Sequence, residues 1–377
     1  QKVIKDIFGF NYVLPTHQGR AAERILFTVL SKKGDIIPSN THFDTTRANI
    51  ESQGAIALDL IPDKFNDTQL KHPFKGNISI NKLEKLLSST DIDKIPLIML
   101  TITNNSGGGQ PVSMKNIKQV SELSKKYNIP FYLDACRFAE NAFFIKERED
   151  GYGDLTIKEI VKQMFSYSDG CTMSAKKDGI ANIGGFLCTN NSEIAIKKKN
   201  ILILTEGFPT YGGLAGRDLE AIAIGLQECI EFNYLHYRIT STSYLGNKIS
   251  EYGVPILTPP GGHAIYIDAK MFLPHLKSND YPGQALACEL YHHGGIRASE
   301  IGSFMFGGID KKGIPYYASN ELLRLAIPRR TYTQSHIDYV VEIICEVYDN
   351  KENIKGLEII EEPKYLRHFT SKLKVKK

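Results

Sequence analysis

The chain of 377 residues is 42% hydrophobic and 23% charged, with a formal net charge of +4. That length accommodates two domains and a sizeable core, and so mild a charge argues against a nucleic-acid partner. The six cysteines (Cys136, Cys171, Cys188, Cys229, Cys288, Cys345) form no Cys-x-x-Cys pair. Their scatter argues against a disulfide frame or a zinc site and favours a reducing, cytoplasmic setting. No apolar run reaches membrane-spanning length, so neither a membrane partner nor a signal peptide is expected.

The polar turn Thr16-His17-Gln18-Gly19-Arg20 leads into a helix carrying Ile25, Leu26, Val29 and Leu30. Residues 95–103 (IPLIMLTIT) read as a buried strand. The stripe Ile117, Val120, Leu123 and Tyr127 predicts a helix over 114–127, and 129–134 predicts the next strand. This is a βαβ unit, so a parallel sheet with helices on it is expected. Further strands are predicted at 168–174 and 184–189. A helix near 217–238 marks a transition. Beyond it come Val254-Pro255-Ile256, a strand at 264–267, a helix near 283–294, a strand at 322–327 and a last long helix at about 334–349. The expected architecture is a mostly parallel α/β domain over 1–230 and a smaller α+β domain over 231–377.

Lys176 and Lys177 stand in the run TMSAKKD, closely followed by Asn182-Ile183-Gly184-Gly185. A lysine is a covalent nucleophile only when its amine loses its proton, and a neighbouring cation lowers its pKa. With Ser174 nearby, the run suits a Schiff base with a phosphorylated aldehyde; the alternative is a basic surface turn. Asp134 ends the strand FYLDA, where a carboxylate can keep a pyridinium protonated; the alternative is a helix N-cap. Gln18, Gly19 and Arg20 make a credible phosphate cradle at a helix start. Asn105 lies in the Gly-rich run after strand 95–103, and Phe43 can stack on a flat ring or fill the core. Arg324, flanked by leucines, is a candidate for gripping a carboxylate, or for pairing with a structural acid.

Taken in order, the blocks PTHQGR, HFDTTR, NNSGGGQPVSM, YLDACRFAENA, TMSAKKD with NIGGF, GFPTYGGLAGRD, LRLAIPRRTYT and LRHFTSKLK resemble the β-eliminating lyases over essentially the whole chain. These are pyridoxal-phosphate enzymes of fold type I, the aspartate-aminotransferase fold. The resemblance implies that Lys177 is the Schiff-base lysine and the base for the α-proton. It implies phosphate contacts from Lys176, Ser174, Gln18, Gly19 and Arg20. Asp134 would meet the pyridinium nitrogen, Asn105 and Arg137 the phenolic oxygen, and Phe43 the ring face. Arg324 would hold the substrate carboxylate, and the Asn182 carbonyl would bind a potassium ion. Family members also form homotetramers, so self-association is expected.

Three positions divide the members that cleave tyrosine from those that cleave tryptophan. The tyrosine-cleaving members have threonine in place of Asp44, arginine in place of Ile301 and phenylalanine in place of His368, and at each this chain is similar to the tryptophan-cleaving members. An isoleucine suits a neutral indole, while Asp44 and His368 can assist proton delivery to it. The implied reaction is α,β-elimination of L-tryptophan to indole, pyruvate and ammonia. The alternatives are cleavage of tyrosine or another β-lyase substrate, and a catalytically impaired, N-terminally shortened homologue. Family members carry a segment ahead of PTHQGR, whereas this chain starts fourteen residues before Pro15. The roles of that segment, including a tyrosine in leaving-group chemistry and further potassium ligands, are expected to fall to no residue here.

Overall fold

A computed structural model describes residues 1–310, 312–363 and 367–377. The motif at 366–374 is therefore described from Arg367 onward. The chain forms two compact units, Gln1–Pro62 with Pro73–Tyr237, and Asp63–His72 with Arg238–Lys377. The division falls inside helix Phe232–Glu251 rather than at residue 230. Among the described residues no helix is long and apolar enough to cross a membrane.

The first unit is built on strands β1 (Tyr12–Thr16), β2 (Ile36–Ser39), β3 (Ile56–Asp59), β4 (Ile98–Thr101), β5 (Phe131–Asp134), β6 (Gly170–Ser174) and β7 (Gly185–Thr189). Five form one sheet in the order β1-β7-β6-β5-β4. β4, β5 and β6 are parallel, β7 opposes β6, and β1 opposes β7. Only β7 therefore runs against the other four. β2 and β3 form a separate parallel pair. The Asn40 side chain, just past β2, ties that pair to β4: it accepts from the Thr101 N–H and donates to the Thr101 carbonyl, both at 2.9 Å.

Every residue of β4, β5 and β6 is buried, as their unbroken apolar runs require of a parallel sheet covered on both faces. β4 is shorter than the predicted 95–103. Its ladder begins only where the neighbour begins, with the Ile98 N–H on the Pro130 carbonyl at 2.8 Å. The helix at Met114–Tyr127 has the predicted bounds. Ser113 caps its start through the Asn116 N–H, Ile117, Val120 and Leu123 are buried, and Asn128 ends it at φ 54. The helix predicted over 217–238 is two helices, Gly216–Glu228 and Phe232–Glu251. Residues 229–231 are Cys-Ile-Glu, so no glycine or proline announces the break.

The second unit holds β8 (Ala264–Asp268), β9 (Ser299–Ile301), β10 (Gly308–Ile309), β11 (Pro315–Tyr316), β12 (Leu322–Ala326), β13 (Leu357–Glu361) and β14 (Lys372–Val375). β12 lies between β8 and β9, antiparallel to both. The segment 254–256 is no strand and makes a single bridge, Ile256 to Ile267, because Pro255 lacks a donor. Helices Pro282–Gly294 and Gln334–Asp349 bury Leu286, Leu290 and Ile344 against Ile267 and Leu323. After the last long helix the chain adds the hairpin β13–β14. There the alternation Lys-Leu-Lys-Val sets Lys372 and Lys374 against Glu361 and Glu358, at 2.6 and 3.4 Å.

Candidate active site

Four connections leave the carboxyl ends of the strands that run the same way, β1, β4, β5 and β6. They line one cavity, with about 620 Å³ of space including the solvent at its mouth. From β1 come Gln18, Gly19 and Arg20; from β4, Thr101 and Asn105; from β5, Asp134, Cys136 and Arg137; from β6, Ser174, Lys176 and Lys177. Phe43, the N-cap of helix Asp44–Ser52, completes the wall.

Local bonds hold each connection. The Gly184 N–H donates to the His17 carbonyl at 2.8 Å, which fixes the turn after β1. A Cβ on Gly19 would lie 2.5 Å from the Ser174 Cβ and 2.9 Å from its Cα, so the two loops touch there. Gly185 is equally closed in, since its Cβ would sit 2.5 Å from the Met173 carbonyl oxygen. The loop after β4 folds on itself: the Asn104 Oδ1 accepts from the Gly107 N–H at 3.0 Å, and the Ser106 hydroxyl donates to the His42 carbonyl at 3.2 Å. His42 is itself held by Asp59 through its backbone N–H and Nδ1, at 2.9 and 2.7 Å, and Phe43 follows it onto the cavity wall.

Residues 175–184 connect β6 to β7 under several restraints. The Ala175 N–H donates to the Gly184 carbonyl at 2.9 Å, the Ala181 N–H to the Ala175 carbonyl at 3.2 Å, and the Ile180 N–H to the Lys177 carbonyl at 3.0 Å. Ile180 is held at φ 46, a costly conformation for a β-branched residue. The Asp178 carboxylate accepts from the N–H groups of Ala139 and Glu140 at 2.8 and 3.3 Å, so it caps helix Phe138–Arg148. The N-cap position is Arg137, and the N–H groups that Asp134 could have met as a cap are met by Asp178. Asp134 instead accepts from the Cys136 thiol at 3.0 Å and sits in the cavity wall.

Burial pushes the Lys177 amine below the usual lysine range, and the cations of Arg137 and Lys176 push the same way. The sequence pointed to Lys176 alone, but burial is the larger cause and Arg137 ranks ahead of Lys176. The Lys177 Nζ donates to the Ser174 hydroxyl at 3.1 Å. Burial raises the Asp134 carboxyl, opposed by the Cys136 hydrogen bond and by the charges of Arg137 and Lys177.

Among the further residues lining the cavity, sequence reasoning passed over the titratable Glu23 and Cys136. Burial, with Asp134 nearby, pushes the Glu23 carboxyl up to about 7. It accepts from the Thr46 hydroxyl at 2.6 Å and from Asn49 at 3.3 Å, which ties helix Gly19–Leu30 to helix Asp44–Ser52. Glu23 lies just past PTHQGR and Cys136 inside YLDACRFAENA, and neither position carried any further signal. Asp44 is buried at the start of its helix, its Oδ1 accepting the Thr45 N–H at 2.6 Å, and it is not among the residues lining the cavity. Asn182 is exposed in the turn after Lys177.

The remaining candidates lie in the second unit. Arg324 is half-buried on β12, opposite Tyr266 and Ser299. Ile301 pairs with Leu322 on the same strand and is buried among Leu257, Ala264 and Tyr266. His368 is half-buried in the turn Arg367–Phe369, its ring 4.2 Å from that of Phe369.

The family model described as β-eliminating lyase matches residues 1–343. A tryptophanase of Salinibacter ruber is 58% identical over 376 residues, covering 100% of this chain and 79% of that protein. A tryptophanase of Hyphomonas neptunium is 54% identical, covering 98% and 81%. A tyrosine phenol-lyase of Pasteurella multocida is 48% identical, covering 100% and 82%. Among solved structures, SPT with a PLP internal aldimine superposes with a TM-score of 0.60 at 13% identity, over 93% of this chain and 75% of that one. At that identity the likeness speaks for the fold, which is that of fold type I.

Proposed function

The chain belongs to the β-eliminating lyase family, and from that membership and the cavity we propose that it cleaves L-tryptophan to indole, pyruvate and ammonia with pyridoxal phosphate. The observation that carries this reading is a half-buried lysine of lowered pKa and a buried aspartate converging where four strands end. The cavity fits the cofactor in two respects. The close contact between Gly19 and Ser174 sets the start of helix Gly19–Leu30 beside Ser174 on the cavity wall, an arrangement suited to a phosphate. The Arg137 Nε is buried with no protein acceptor, which suits a ring oxygen.

Gln18, Gly19, Arg20, Ser174 and Lys176 would hold the phosphate, and Phe43 would cover the ring. Asn105 and Arg137 would meet its oxygen, and Asp134 its nitrogen. When bound, the cofactor supplies an electron sink for the pair left by a departing α-proton. Lys177 Nζ can take that proton when neutral, the form toward which burial and neighbouring cations shift it. Arg324 would hold the substrate carboxylate. We assign Asp44 and His368 to proton delivery at the leaving ring, and Ile301 to the apolar wall an indole requires.

Potassium has one candidate ligand here, the carbonyl of exposed Asn182. One exposed carbonyl does not make a cage.

The test is product analysis with tryptophan and tyrosine, joined to borohydride trapping and peptide mapping. Indole with equimolar pyruvate, and a label on Lys177, are expected. Phenol release exceeding indole release overturns the substrate assignment made from Asp44, Ile301 and His368. A label elsewhere overturns the site.

A further inference from the structure

Cys136 stands at the junction of the two loops that carry Asp134 and Lys177. Its thiol donates to the Asp134 Oδ1 at 3.0 Å, and its Sγ accepts the Ser174 N–H at 3.4 Å. Its carbonyl accepts the Asp178 N–H at 3.2 Å. One residue thus touches the carboxylate at the end of β5, the last residue of β6, and the neighbour of Lys177. It also lines the cavity, so its side chain is no mere filler behind the wall.

We propose that Cys136 is a positioning residue for Asp134, holding its carboxylate in one rotation and in its charged form to face the ring nitrogen of the bound cofactor. This rests on the functional reading above.

The chemistry follows from what a buried carboxylate needs. Burial drives Asp134 toward its neutral form, and a neutral acid cannot keep a pyridinium protonated. Hydrogen bonds to the charged form oppose that drive, and among the described residues those on Asp134 come from Cys136, through the thiol and the backbone N–H. Removing the side chain leaves the backbone donor and frees the carboxylate to rotate. Burial and the Asp134 charge push the thiol far above its ordinary range, so it keeps its proton and serves as a donor rather than a nucleophile.

The experiment binds pyridoxal phosphate labelled with ¹⁵N in the ring to the full chain and follows the nitrogen shift against pH, for the wild type and for Cys136→Ser, Cys136→Ala and Cys136→Val. Serine keeps a donor, and valine keeps bulk without one. The proton affinity of the ring nitrogen is expected to fall about tenfold in the alanine and valine variants, and to stay within threefold of wild type in serine. Should alanine fail to fold, the contrast between serine and valine decides alone. Wild-type titration in alanine or valine overturns the inference. A wild type that binds no pyridoxal phosphate overturns the functional reading instead.

Discussion

Replacing Gly19 by alanine tests whether the loops after β1 and β6 form a joint cradle. The added methyl would stand 2.5 Å from the Ser174 Cβ and 2.9 Å from its Cα, against about 3.5–4.0 Å for relaxed carbon contacts. The loops must therefore part by about 1 Å. Ser174 cannot swing aside, because its backbone is registered opposite Gly185 in the sheet. Such overpacking costs about 1–3 kcal/mol in the free protein. Parting the donors also weakens their grip on an anion. Losing one charge-assisted hydrogen bond, at about 1.5–3 kcal/mol, raises the dissociation constant of pyridoxal phosphate about 10- to 100-fold. Equilibrium dialysis of the cofactor-free chain measures this, with pyridoxal, which lacks the phosphate, as the comparison ligand. The loss is expected for the phosphorylated ligand and should be several-fold smaller for pyridoxal. A variant within twofold of wild type, or one that weakens both ligands equally, would refute the cradle.

Lys177→Ala is expected to abolish imine absorbance with pyridoxal phosphate, while Lys176→Ala raises the dissociation constant about tenfold and keeps the band; equal loss of the band in both would reverse the assignment. Glu23 keeps its proton to about pH 7 when folded, whereas an unfolded glutamate releases it near 4.5. The folded chain binds more protons in that window, so stability falls as pH rises from about 4.5 through about 7, by up to about 1.4 kcal/mol per pH unit. Glu23→Gln should flatten this slope in urea titrations at pH 5 and 8, and a variant that keeps the wild-type slope contradicts it. Asp178→Ala removes the cap on helix Phe138–Arg148, expected to cost about 0.5–2 kcal/mol and to slow borohydride capture at Lys177. Unchanged trapping would show that the cap does not reach the lysine.

Much of the first unit was legible because its strands carry unbroken apolar runs and its polar motifs sit at their ends. Asp134 and Lys177 could be named from the sequence since each lies at or just past a strand end. What surrounds them was not legible. That Asp178, not Asp134, caps the helix at Phe138 depends on a loop folding back across β5 and β6. Glu23 looked like any helical glutamate until its burial against Thr46 came into view. The cause of the lowered Lys177 pKa was half visible, because an adjacent lysine can be read in a sequence but desolvation cannot. The hairpin β13–β14 was hidden for another reason: a lysine-rich end reads as a solvated tail unless its acidic partner strand is recognised.

The stitching of residues 175–184 into strands on either side has a kinetic corollary. Lys177 cannot be carried off by an opening flap, so its Nζ reaches and retreats only through the torsions of its own methylenes. A ligand gripped by the cradle of Gly19 and Ser174 would then stay within reach of that nitrogen after parting from it, in the regime where tethered encounters attain effective molarities of about 10⁵–10⁸ M. Release and recapture become rotations about a stationary anchor, and a chain with extra residues spliced in after Lys177 would turn them into a search.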